Sequence, residues 1–307
     1  MANAPGHFRR SPRPVTVAAL QMACDWDSQG NIARAERLVR AAAAQGAQII
    51  LLPELFETPY FCIEQDARHL ALAHPVADDA AVRRFAPLAR ELGVVLPISF
   101  FERAGRAYFN SIAILDADGS NLGVYRKSHI PNGPGYQEKN YFSPGDTGFK
   151  VWDTRFARIG VGICWDQWFP ETARVMALMG AELLFFPTAI GSEPPPAMPV
   201  NSRDHWQRTQ QGHAAANLTP LIAANRYGLE RSVQDPRGLY LRFYGSSFIA
   251  DATGAKIAEA SEEGDAVLTH TFDLEEIAQL RDNWFVFRDR RPDLYGPLTS
   301  LDGGRSG

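Results

Sequence analysis

Residues 157–187 read ARIGVGICWDQWFPETARVMALMGAELLFFP. The stretch opens with an apolar run, 157–164, that ends in Cys164. Pro170, a residue favoured in the first helical turn, then begins a helical pattern over 170–179 that Gly180 stops. A second apolar run follows at 182–187. Two buried strands joined by a helix form a parallel crossover, which needs helices over its sheet, so this stretch predicts an α/β layered fold.

The same order recurs upstream. A strand over 14–22 (PVTVAALQM) precedes a helix over 31–44, the stop Gly46 and an apolar run over 47–52. A helix over 78–92, Gly93 and a strand over 94–101 continue it. Two further runs, 106–115 and 121–125, flank Asp116-Ala117-Asp118-Gly119, whose Asp-Gly step signals a hairpin. Downstream, a helix over 202–216, a strand over 220–224 and a hairpin around Asp251–Gly254 complete the core. Two long loops interrupt the pattern: 130–148, rich in Gly, Pro and Asn, and 191–199, with four prolines. Such loops in a compact domain are usually functional. With no low-complexity linker, the chain reads as a disordered N-terminal arm (1–13), one domain (14–282) and a tail (283–307).

Composition narrows the function. Lys plus Arg number 31 against 35 Asp plus Glu, a net charge of −4, which argues against a broad basic face for nucleic acid. At 45% hydrophobic residues the 307-residue chain can bury a sizeable core. No run approaches the roughly 20 apolar residues of a membrane span, and no apolar segment follows the basic N-terminus. A cytoplasmic protein with no membrane partner is expected. The three cysteines, Cys24, Cys62 and Cys164, are odd in number and form no CxxC, so neither a disulfide framework nor a zinc knuckle is supported.

Phosphate-loop, nucleophile-elbow and HExxH signatures are absent. Gly160-Val161-Gly162 lacks the third glycine of a dinucleotide fingerprint. Cys164 stands out because it ends a strand just before a helix, where backbone N–H groups favour a thiolate and an oxyanion. Read alone, it is more often a small buried hydrophobe, as Cys24 and Cys62 are expected to be. Glu54 follows the uncharged run 49–53, and Lys127 follows the run 122–125 and Arg126. Each alone reads as a cap or surface charge, and Glu138 as a solvated loop acid.

Taken together, Glu54 in PELF, Lys127 in YRKSHIP, Glu138 in GYQEKNYFSPGD and Cys164 in GICWDQWFPE resemble the nitrilase superfamily of carbon–nitrogen hydrolases. The resemblance spans roughly residues 14–284. It implies a four-layer αββα sandwich: two mixed sheets flanked by helices. It implies Cys164 as nucleophile, Glu54 as general base and acid, Lys127 as oxyanion stabiliser and Glu138 as the residue positioning Lys127. Physical chemistry asks for the same set, since a thiol needs a base and a tetrahedral oxyanion needs fixed donors. Trp165 N–H would be a second such donor. Neither metal nor cofactor is implied.

Within the superfamily, the runs 125–149 and 164–194 resemble enzymes that hydrolyse N-carbamoylputrescine to putrescine, carbon dioxide and ammonia in polyamine biosynthesis. Related carbamoylases for amino acids tend to carry arginine just after the nucleophile's Asp. Here Gln167 and Trp168 stand there and cannot pair with a carboxylate, which favours a small cationic ureido substrate. Glu193 is the expected partner of its ammonium. Tyr60, Phe61, Trp165 and Trp168 suit either a pocket wall or the core. Tyr60 and Trp165 are taken as substrate-binding. His129 is expected to be structural, and Asp166 to cap the helix after the turn. Competing readings are an N-carbamoyl-β-alanine amidohydrolase, another amidase or nitrilase with the same four residues, and a silent binding protein on the same fold. A homodimer or larger homo-oligomer is implied, with residues 283–297 at an interface or clamped to the surface.

Overall fold

The computed structural model describes residues 11–192, 202–233 and 238–304. Two sheets lie face to face. The first contains, in spatial order, β14 (Ala266–Asp273), β1 (Pro14–Gln21) and β2 (Ile49–Leu51). A parallel bridge between Ile49 and Val95 joins it to β3 (Leu96–Ala104), β4 (Ala107–Leu115) and β5 (Asn121–Arg126). The second runs β13 (Lys256–Glu259), β12 (Phe248–Ala250), β9 (Leu221–Asn225), β8 (Leu183–Thr188), β7 (Arg158–Val161) and β6 (Val151–Asp153). Its β7–β8 and β8–β9 pairs are parallel, as the crossover at 157–187 requires.

Helices cover both outer faces. On the first sheet lie α1 (Ser28–Ala44) and α2 (Ala80–Leu92), capped by the side chains of Asp27 and Asp79. On the second lie α3 (Pro170–Leu178) and α4 (Ser202–Asn217). Side-chain alternation makes the layers. In β1, Val15, Val17 and Ala19 enter the core between the sheets with Ile159, Val161, Leu183 and Phe185, while Ala18 and Leu20 pack under α1 and α2. Both faces of each central strand are therefore buried, which explains the near-continuous apolar runs. The expected αββα sandwich is the observed fold.

Gly160 and Gly162 have a structural use. A Cβ on Gly160 would sit 2.9 Å from Met176 Sδ, and one on Gly162 would sit 2.7 Å from the Phe186 ring. The two glycines let α3 lie close on β7.

Three features depart from the sequence expectation. The hairpin at 251–254 does not end the core: β14 pairs antiparallel with β1 from Pro14↔Asp273 to Gln21↔Ala266, and α5 (Leu274–Trp284) follows. A hairpin of β10 (Tyr227–Arg231) and β11 (Tyr240–Tyr244) was not anticipated. Arg13, assigned to the free arm, is anchored instead: its N–H donates to Asp273 and its guanidinium pairs with Glu182 at 2.7 Å. Among the described residues no helix is long and apolar enough to cross a membrane.

Candidate active site

Three strand ends converge. Glu54 lies just beyond β2, Lys127 directly after β5, and Cys164 in a short 3-10 turn, Cys164–Trp168, after β7. Glu54, Lys127 and Glu138 are fully buried, and Cys164 nearly so. Lys127 Nζ donates to Glu54 Oε1 at 2.9 Å and to Glu138 Oε1 and Oε2 at 2.9 and 2.7 Å. One ammonium between two carboxylates gives this cluster a formal charge of −1. Burial alone would discharge Lys127, but Glu138 and Glu54 outweigh it and hold the ammonium protonated well above its usual range.

Glu138 responds in the opposite sense to an exposed acid. Burial pushes it up, Lys127 pulls back and Glu54 adds to the rise, leaving it near about 7. Glu54 Oε1 takes a second bond from Asn110 Nδ2 at 2.6 Å, whereas Glu54 Oε2 is buried without a hydrogen-bond partner among the described residues. That oxygen is available to receive a proton.

The thiol corrects one expectation. Burial, reinforced by Glu54, raises Cys164, and Lys127 only partly opposes them. Burial thus favours the neutral thiol over a preformed thiolate at Cys164. For such a thiol to attack, a base would have to take its proton. Cys164 Sγ faces Ala189 O at 3.9 Å and the Thr188 hydroxyl. The backbone here is strained: Cys164 has φ +41° and Leu55, next to Glu54, has φ +48°. Both are left-handed conformations that non-glycine residues seldom adopt and that cluster at functional sites.

Other expected residues find varied places. Tyr60, expected on the pocket wall, is buried and donates its hydroxyl to Glu138 Oε1 at 2.6 Å, so it supports the cluster. Trp165 is 39% exposed at the turn. Gln167 is fully buried, its Oε1 taking bonds from Trp206, Gln210 and Thr188. Trp168 lies against the His205 ring. Glu193 lies outside the described residues. Cys62 is buried and Cys24 half-buried, and burial pushes both thiols up, as packing residues require.

Asp166 does not cap α3, whose N-cap, Phe169, makes no side-chain bond. Instead its carboxylate accepts from Ile163 N, Tyr125 Oη, His129 N and His129 Nδ1, at 2.7–3.1 Å. It thus bolts the cysteine turn to the segment carrying Lys127. His129 is structural as expected, bonded to Asp166 and stacked on Phe169 at 3.7 Å. The sequence reading missed Asn110 and this role of Asp166. Asn110, which with Ser111 interrupts the apolar run of β4, was the available signal for the first. For metal, the described residues offer one group within 4.8 Å: Glu64, Asp66 and His69. His69 is already bonded to Glu64, and Asp66 is held by Arg68.

The arrangement can activate a thiol, stabilise an oxyanion and shuttle one proton in a water-poor site. The carbon-nitrogen hydrolase family profile matches residues 16–282. The chain is 58% identical over 291 residues to the N-carbamoylputrescine amidase of Arabidopsis thaliana, covering 95% of this chain and 97% of that one. It is 54% identical over 285 residues to the citrullinase of Francisella tularensis subsp. tularensis, covering 92% and 98%. The crystal structure of a carbon-nitrogen hydrolase from Helicobacter pylori G27 superposes with a TM-score of 0.87 at 38% identity, over 94% of this chain and 99% of that one. Sequence match and shared architecture agree over nearly the whole length: the chain belongs to the carbon-nitrogen hydrolase family.

Proposed function

We propose that the enzyme hydrolyses N-carbamoylputrescine to putrescine, carbon dioxide and ammonia through a carbamoyl group carried on Cys164. The observation that carries the chemistry is Lys127, buried between Glu54 and Glu138 beside a neutral thiol. Glu54 Oε2 takes the thiol proton as sulfur attacks the ureido carbonyl carbon. Lys127 slackens one of its two bonds to Glu138, and with the N–H of Trp165 it receives the tetrahedral oxyanion. Glu54 returns the proton to the departing ammonia. Water deprotonated by Glu54 then attacks the thiocarbamate carbon, the C–S bond breaks, and Glu54 returns that proton to the Cys164 sulfur. The released carbamate breaks down to carbon dioxide and the amine. Tyr60 and Glu138 keep the lysine aimed throughout.

The substrate rests on the 58% relative and on charge. The 54% relative favours a second reading, citrulline, which is the same ureido chain with an added carboxylate. Gln167 and Trp168 bring no cation to meet such a group. Parallel ammonia-release assays on N-carbamoylputrescine, citrulline and N-carbamoyl-β-alanine test the choice. The first is expected to have the highest kcat/KM, and faster turnover of either carboxylate-bearing compound would overturn it. A free-thiol nucleophile suits a reducing compartment, so the proposal includes the cytoplasm, and a homodimer or a multiple of it as the working assembly.

A further inference from the structure

We infer that Arg226, paired with Glu230, is a positioning residue that sets both carboxylates flanking Lys127. Arg226 stands just after β9 and is fully buried, a rare place for a guanidinium. Nη2 donates to Glu54 O at 2.8 Å and Leu55 O at 2.9 Å, and Nη1 donates to Thr58 O at 3.1 Å and Glu230 Oε1 at 2.9 Å. Its carbon lies 5.4 Å from the centre of the Phe243 ring.

The loop leaves β2 after Leu51, passes Glu54 and bends through the strained Leu55, so its carbonyls have no sheet partner in line. The guanidinium fork takes three of them at once. Glu230 completes the brace, because its other oxygen accepts the backbone N–H of Tyr60. From there the chain of contacts is short: Tyr60 Oη holds Glu138, and Glu138 holds Lys127. One buried ion pair therefore fixes the main chain of the base at one end. At the other it fixes the tyrosine that orients the second carboxylate. Lysine cannot replace it, since a single ammonium lacks the planar fork that spans three carbonyls and a carboxylate.

The inference rests on the proposed roles of Glu54 and Glu138, so the experiment reads it by two routes. Arg226→Lys and the isosteric Glu230→Gln are compared with the full-length wild type. The readouts are kcat and KM for N-carbamoylputrescine, thermal melting, and the rate at which iodoacetamide alkylates Cys164, followed by peptide mass spectrometry. A misplacement of about 1 Å costs about 100-fold, so kcat of Arg226→Lys is expected to fall by that order with KM unchanged. Alkylation is expected to slow in step, because the thiol still depends on a correctly placed base. Wild-type kcat and alkylation in either folded variant would overturn the assignment, as would activity that merely follows the folded fraction. If wild-type Cys164 is alkylated yet no ureido compound is hydrolysed, the substrate reading fails, and the alkylation rates alone still decide for or against Arg226.

Discussion

In the proposed mechanism a thiol that burial and Glu54 favour as neutral needs its base in place at the moment of attack. Replacing Cys164 by Ala is expected to lower turnover by more than about 10⁴-fold while leaving the melt nearly unchanged. In the wild type, mass spectrometry of the reacting enzyme should show a carbamoyl adduct on the Cys164 peptide. Glu138 gives a pH signature. Its carboxyl rises from an ordinary 4.5 to about 7 in the folded enzyme because it is buried. Between these values only the folded state holds the proton, so its contribution to stability falls as pH rises through the window. Activity moves the other way, since the ionised form is the one that grips Lys127. The melting advantage of wild type over Glu138→Gln should therefore shrink from pH 4.5 to 7 while wild-type kcat/KM climbs. Tyr60→Phe removes a bond that favours the carboxylate, and should shift the acidic limb of that profile upward.

Elements, rather than single side chains, decide where the charged groups meet. Lys127 owes its place to the end of β5, which the loop after residue 130 clasps: Gly145 N donates to Lys127 O at 2.8 Å. A Cβ at Gly145 would lie 2.1 Å from Arg126 O and 2.8 Å from Lys127 O, both backbone atoms that cannot turn aside. Gly145→Ala is expected to cost about 1–3 kcal/mol in urea denaturation, as overpacked sites do, and to lower kcat by displacing the strand end. Gly162→Ala would press on the Phe186 ring of β8 at 2.7 Å and on Thr172 of α3 at 3.2 Å, with a similar stability cost and, through the adjoining turn, a misaligned Cys164.

At the scale of the molecule, several of the exposed apolar side chains among the described residues lie on α3 and the C-terminal segment. On α3, Val175, Leu178 and the following Met179 are exposed, and Trp284, Phe285, Leu294 and Leu298 of the C-terminal segment are exposed as well. Scattered apolar residues need no explanation, but a group of this size fits the proposed pairing of two copies. Sedimentation at micromolar concentration is expected to show a dimer or a multiple of it, and Leu178→Glu should lower its mass. A wild-type monomer would reject the assembly.

Much of this was legible in the chain itself. The layer order follows from local patterns: apolar runs short enough for strands, helices stopped by Gly46, Gly93 and Gly180, and a crossover at 157–187. Glu54, Lys127 and Cys164 stood out as candidates because each follows an apolar strand with a charge or a thiol, whereas Glu138, a loop acid, stood out only through the resemblance. The β1–β14 pairing was not, because it joins residues about 250 positions apart and β14 is half-exposed, leaving little local signal. Nor was the protonation of Cys164, which depends on how many charges of each sign are packed around it. By itself the sequence determined an α/β layered fold through periodicity, the αββα sandwich through its resemblance to a family, and the chemistry available at the strand ends through residue type. Tertiary structure decided which groups share a proton and which hold others in place, because burial and distances between strand ends exist only in the folded chain.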